Sequence, residues 1–171
     1  DCLNAGSRIT DKPDEIAEAE RLILPGDGSF GFMMKEMKKK KFIEPIKEFI
    51  RSGKPFLGIC LGLQALFEES EESPGVKGLG IFKGKVVKFR KGKVPQIGWN
   101  KIESKEKSRE NIFSEGYVYF VNSYYAVPED QSIIAATSDY YGSFTSAVRF
   151  KNVTAVQFHP EKSGDFGLEL L

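Results

Sequence analysis

Cysteine, histidine and glutamate are residue types from which a nucleophilic amide-cleaving site can be built, and this sequence holds each of them in a suitable setting. Gly58-Ile59-Cys60-Leu61-Gly62 places a glycine two residues to either side of a cysteine. That is the pattern of a nucleophile elbow with sulfur in place of oxygen. Such a turn strains the backbone between a strand and a helix, and a Cβ two residues away on either side would meet neighbouring main chain. A helix starting at Cys60 would aim free N–H groups and a positive dipole end at the sulfur, which predicts a lowered thiol pKa. The same five residues also suit a small cysteine buried in a core.

His159 is the only histidine; it follows the apolar run that ends at Phe158, and Glu161 lies two residues beyond it. If the segment through Pro160 stays extended, side chains 159 and 161 fall on one side. The carboxylate can then hold one ring nitrogen while the other faces a thiol. A lone surface histidine is the competing reading. A cysteine at one strand end and a His-x-Glu at another are better explained together, as a Cys60, His159, Glu161 nucleophilic site. Pro25-Gly26-Asp27-Gly28 closes another apolar run. Its backbone N–H groups could join that of Leu61 in receiving the oxyanion that forms when sulfur attacks an amide. The loop is only a loose likeness of a dinucleotide-binding glycine pattern. One histidine and two distant cysteines are too few soft ligands for zinc, so no metal is expected.

The elements that must position these residues can be sketched from pattern. Leu22-Ile23-Leu24 and Pro55 to Ile59 are short apolar runs ending in tight loops, as buried parallel strands do. Lys35 to Arg51 carries a helical apolar stripe interrupted by Pro45, which predicts two short helices or one that restarts. The basic run Lys38 to Lys41 is either a solvated helix face or a docking patch. Beyond Gly78, segments at 80–82, 85–89, 101–103, 117–125 and 133–137 have strand composition and suggest a partly antiparallel region. Residues 146–150 and 153–158 predict a hairpin about Lys151-Asn152, and a helix begins at Phe166. Asp1 to Ala5 reads as the last turn of a helix closed by Gly6.

A length of 171 residues fits one domain, and a net charge of +1 gives no reason to expect nucleic-acid binding. Apolar runs are far shorter than the roughly 20 residues that cross a bilayer, so no membrane association is expected. Two cysteines do not make a disulfide framework, which points to a reducing compartment and a cytoplasmic location.

Three motifs taken together, Pro25-Gly26-x-Gly28, Gly58 to Gln64, and Gln157-Phe158-His159-Pro160-Glu161, resemble those of the class I glutamine amidotransferases, in the family's order. The resemblance implies an α/β fold in three layers, with a mostly parallel, flavodoxin-like twisted sheet and an antiparallel extension. It implies hydrolysis of L-glutamine through a Cys60 thioester, with no cofactor. Gly26, Asp27, Gly28 and Leu61 would surround the oxyanion. Gln64, Ser123, Tyr124 and Ser146 would hold the amino-acid end of the substrate. Pro95 to Asn100 and Tyr119 to Tyr124 further resemble the branch of the family that feeds ammonia to the (β/α)8 cyclase subunit of imidazole glycerol phosphate synthase, with Trp99 and Asn100 facing that partner. Glutaminases of pyridoxal phosphate or anthranilate synthesis, and a non-catalytic binding homologue, are the alternatives. Departures from the family pattern are Asp27, where a small apolar residue is usual, and Gln96 and Asn122, where histidines are common. The family's domain begins with a strand and a helix that this sequence lacks, apart from the helix end at residues 1–6.

Overall fold

The computed structural model describes residues 6–105 and 112–171, so the expected helix turn at residues 1–5 lies outside the described residues. A short 3-10 turn, Pro13–Ile16, precedes β1 (Leu22–Leu24), α1 (Phe30–Lys39), α2 (Ile43–Arg51), β2 (Phe56–Ile59) and α3 (Leu61–Gln64). There follow β3 (Glu69–Ser70), β4 (Gly84–Lys88), β5 (Gln96–Ser104), β6 (Gly116–Asn122) and β7 (Tyr124–Pro128). The chain closes with β8 (Ile134–Asp139), β9 (Ser143–Phe150), β10 (Val153–Val156) and α4 (Gly164–Leu168). The main sheet has seven strands in the order β1-β2-β10-β9-β8-β5-β6, and a second sheet has three, β3-β4-β7.

The expected α/β fold with an antiparallel extension is present, but the large sheet is mixed and not mostly parallel, because the extension supplies most of its described strands. β2 pairs in parallel with β1 on one side and with β10 on the other. Every further neighbour in the large sheet, from β10 to β9 and on through β8, β5 and β6, is antiparallel. Strand geometry sends successive side chains to opposite faces, so the central strands feed two apolar clusters. Phe56, Val148, Val153 and Ala155 join Met34, Met37, Ile46, Phe49 and Ile50 from α1 and α2 in one cluster. Ile59, Ala147 and Val156 join Ile102, Val118, Phe120 and Phe158 in the other.

Pro45 sits in the first turn of α2, where its missing N–H breaks no helical bond, and the chain makes two helices. Lys35 and Lys38 to Lys41 all lie exposed, opposite the buried Met34 and Met37. Residues 80–82 do not form the expected strand. Leu79 N–H donates to Ala65 O, and Ile81 and Phe82 N–H both donate to Leu66 O. Carbonyls after α3 that a longer helix would have used are thereby taken, which also limits α3 to four residues. The expected strand 117–125 is two strands divided at Ser123, because β6 belongs to the large sheet and β7 to the small one. The hairpin about Lys151-Asn152 forms with Phe150 opposite Val153, and Lys151 takes φ +53° at the turn. Among the described residues no helix is long and apolar enough to cross a membrane.

Candidate active site

The parallel register of β2 and β10 pairs Ile59 with Val156, and Cys60 N–H donates to Val156 O at 2.8 Å. Cys60 therefore stands just past the carboxyl end of one central strand, beside the continuation of its neighbour. Its backbone has φ 55° and ψ −109°, a region that L-residues rarely occupy and that surrounding structure must enforce. The glycines provide the room. A Cβ on Gly62 would lie 1.9 Å from Leu24 O, one on Gly58 3.0 Å from Gly62 C, and one on Gly26 2.6 Å from Leu61 Cβ. The strained elbow expected from the sequence is what the chain adopts.

His159 is held by its main chain. Its N–H donates to Tyr119 O at 2.9 Å, and Ser163 Oγ donates to His159 O at 2.6 Å while accepting from Tyr119 N–H. The ring Nδ1 lies 2.8 Å from Glu161 Oε1. A carboxylate can only accept, so Nδ1 carries the proton and Nε2 is left free as a base. The expected pairing is present, but not by the expected route. Pro160–Lys162 is a 3-10 turn, not extended chain, with proline at its first position. The turn folds Glu161 back onto the ring that precedes it.

The thiol corrects another expectation. Burial pushes Cys60 up from 9.0 to about 11, and the nearby charges of Asp27 and Glu161 add to this, against the Leu61 N–H and the Gln157 amide, which favour the thiolate. A helix of four residues offers too little dipole to offset desolvation. Gln157 Nε2 donates to Cys60 Sγ at 3.6 Å, and its Oε1 accepts from Gln64 Nε2 at 2.9 Å. Gln157 was given no role from sequence. The available signal was an amide side chain between Val156 and Phe158 in an otherwise apolar strand.

The remaining expected residues are distributed as follows. Asp27 is exposed, and its Oδ1 accepts from Gly28 N–H at 2.8 Å, so the carboxylate occupies one N–H of the loop beside the nucleophile. Gln64 is buried, with Nε2 also donating to Tyr124 O at 3.2 Å. Ser123 sits at the junction of β6 and β7, half-buried, as is Tyr124. Ser146 is fully buried and its Oγ has no partner among the described residues. Asn122 Nδ2 donates to Tyr124 O, yet the side-chain oxygens of Gln96 and Asn122 are buried without a partner among the described residues. Trp99 is 57% exposed, packed edge-on against Tyr119 at 6.1 Å, while Asn100 Nδ2 donates to Asp139 O at the exposed end of β8.

A strained cysteine, a carboxylate-oriented histidine and a glycine-lined loop beyond the carboxyl ends of parallel strands are the parts from which a nucleophilic amide-cleaving site can be built. The family model for glutamine amidotransferase class-I matches residues 5–169. The chain belongs to the class I glutamine amidotransferase family, and is a glutaminase-type enzyme that yields glutamate and ammonia for a biosynthetic partner.

Within that family the chain is HisH-like. It is 54% identical over 166 residues to the imidazole glycerol phosphate synthase subunit HisH of Pyrococcus furiosus, covering 95% of this chain and 84% of that protein. It is 50% identical over 173 residues to HisH of Thermococcus kodakarensis, covering 97% and 87% respectively. Among solved structures, a glutamine amidotransferase superposes with a TM-score of 0.77 at 19% identity, covering 98% of this chain and 84% of the other. PurLQS from Thermotoga maritima gives a TM-score of 0.68 at 20% identity, covering 88% and 76%. Both structural likenesses bear on the fold alone.

Proposed function

We propose that the chain hydrolyses L-glutamine through a thioester on Cys60 and passes the ammonia to the (β/α)8 cyclase subunit that makes imidazole glycerol phosphate in histidine biosynthesis. The observation that carries the reading is the strained Cys60, whose N–H bonds to Val156 O on the strand that runs on to His159, with His159 Nδ1 tied to Glu161 at 2.8 Å. In the first half-reaction Cys60 Sγ attacks the side-chain amide carbon while His159 Nε2 takes the thiol proton. His159 returns that proton to the departing nitrogen, and ammonia leaves. Water then attacks the thioester and gives a proton to His159, and collapse frees glutamate and restores the thiol. Glu161 orients the imidazole and stabilises its charged form. Leu61 N–H and the loop N–H groups of Gly26 and Asp27 receive the oxyanion, the Gly28 N–H being taken by Asp27 Oδ1. Gln64, Ser123, Tyr124 and Ser146 serve the amino-acid end of the substrate.

The partner reading is supported by the outer face of the β5–β6 hairpin. Ile97 pairs with Val121, Trp99 with Tyr119 and Lys101 with Tyr117. Ile97, Trp99, Tyr117 and Val121 are all exposed there. A cluster of exposed aromatic and aliphatic side chains suits an interface core, and it borders the site, because Tyr119 is bridged to His159. Trp99 anchors the partner, and Asn100 braces β5 against the turn after β8.

The test is glutamate release, measured with the chain alone and with a cyclase and its nucleotide substrate. Activity that is low alone, rises with the cyclase and vanishes in Cys60→Ala is expected. A rate that does not depend on Cys60 refutes the mechanism, and activation by a different synthase but not by the cyclase refutes the partner.

A further inference from the structure

The side-chain amide of Gln157 is held in one orientation by its neighbours, and the holding starts at a group that cannot act as a donor. Tyr124 O is a main-chain carbonyl and accepts from Gln64 Nε2 at 3.2 Å and from Asn122 Nδ2 at 3.0 Å. The NH₂ end of Gln64 is thereby identified, and the same nitrogen donates to Gln157 at 2.9 Å. The Gln157 atom facing it must be the oxygen. The opposite end of that amide, Nε2, then has to face Cys60 Sγ, 3.6 Å away. A reversed Gln157 would put nitrogen against nitrogen at Gln64 and oxygen against sulfur at Cys60, losing both bonds. Gln157 is 0% exposed and Gln64 4%, so bulk water cannot repair the loss.

We infer that Gln157 is a catalytic residue whose amide keeps an N–H donor on the Cys60 sulfur, and that Gln64, anchored on the Tyr124 carbonyl, is the positioning residue that locks it. The donor is neutral, so it adds no buried charge. It acts on the sulfur where charge develops, whereas His159 acts on the proton. The Gln157 contact favours the thiolate, against the desolvation that disfavours it. The inference rests on Cys60 being the nucleophile of the proposed reaction, but its test does not require glutamine to be turned over.

The full chain is compared with Gln157→Glu, Gln157→Leu and Gln64→Leu. The readouts are the rate of Cys60 alkylation by iodoacetamide across a pH series, and kcat and KM for glutamine. Gln157→Glu keeps the shape and an acceptor for Gln64 but puts an anion against sulfur, so alkylation at pH 8 falls by about 10-fold or more. Gln157→Leu only removes the donor, and the fall is about 3- to 10-fold. In both, kcat drops while KM for glutamine stays within about twofold, since the donor serves the developing thiolate. Gln64→Leu frees the amide to turn and slows alkylation by about 2- to 3-fold with Gln157 intact. Folded Gln157→Leu protein alkylating within twofold of the parent at every pH overturns the inference. If neither Gln157 variant folds, Gln64→Leu decides: a slowed thiol supports the relay, an unchanged one overturns it. A slowed thiol in a chain that hydrolyses no glutamine would leave this inference standing while the proposed function fell.

Discussion

The Cys60 thiol provides the most direct test of how this site works. Burial sets it at about 11 against an ordinary 9.0, which corresponds to about 3 kcal/mol of added preference for the protonated form. At pH 7 about one molecule in 10⁴ then carries a thiolate, against about one in 10² for an unperturbed thiol of that reference. Alkylation by iodoacetamide in the absence of glutamine should rise about tenfold per pH unit through pH 10 and level off near 11. The same difference appears in stability. Below pH 9 the folded and unfolded chains both hold the proton; between 9 and 11 the unfolded chain releases it while the folded chain keeps it. Folding therefore weakens across that window, by about 3 kcal/mol at its upper end. Urea unfolding of the parent and of Cys60→Ala at matched pH isolates this contribution, because the other titrating groups are common to both, and the parent should lose ground to the variant from pH 9 upward. An alkylation rate that levels off between pH 6 and 8 would refute the reasoning, since it would reveal a resting thiolate–imidazolium pair. With the thiol protonated at rest, the proposed reaction calls on His159 to remove the proton as the sulfur attacks.

Gly62→Ala puts a carbon 1.9 Å from Leu24 O, so α3 and β1 must part, and a loss of about 3 kcal/mol or more is expected in urea unfolding. Asp27→Asn keeps an oxygen for Gly28 N–H but removes a charge that raises the thiol; as that side chain is exposed, alkylation should quicken by only about 2- to 5-fold. Glu161→Ala frees the His159 ring from its 2.8 Å contact, and kcat for glutamine should fall by about 10- to 100-fold with KM little changed, in steady-state kinetics. Trp99→Ala should weaken cyclase binding by about 2 kcal/mol, roughly 30-fold in Kd by calorimetry, while glutaminase turnover by the free chain stays as it was.

Short-range chemistry was legible in the sequence where long-range partnership was not. The elbow glycines announce the Cys60 turn because they flank it symmetrically: a Cβ on Gly58 would meet Gly62 within the turn itself, although the tighter contact of Gly62 is with Leu24 on β1. The hairpin at Lys151-Asn152 was visible because two apolar runs flank a polar pair. The break at Ser123 is only faintly written, as the polar pair Asn122-Ser123 within an aromatic and β-branched run, and it is the change of sheet partner that makes it a division. Residues 80–82 have strand composition, but their N–H groups found carbonyls at the end of α3. The position of Cys60 at a helix start points to a lowered thiol pKa, opposite to the direction burial imposes, since neither the length of α3 nor the depth of burial is written locally. The role of Gln157 is not written locally because its partners, Cys60 and Gln64, are 97 and 93 residues away along the chain.

The close approach of Leu24 to Gly62 also bears on substitution history. Every residue other than glycine brings a Cβ, so no single replacement at 62 is accommodated until β1 and α3 have separated. That constraint is set by the distance between two pieces of backbone and does not involve the sulfur next door. A descendant that lost Cys60, and with it the chemistry, would still be held to glycine at 62. The glycine of this motif therefore marks common architecture, whereas a working hydrolase is told from a scaffold kept for binding by the proposed reacting groups, Cys60 with His159 and Glu161.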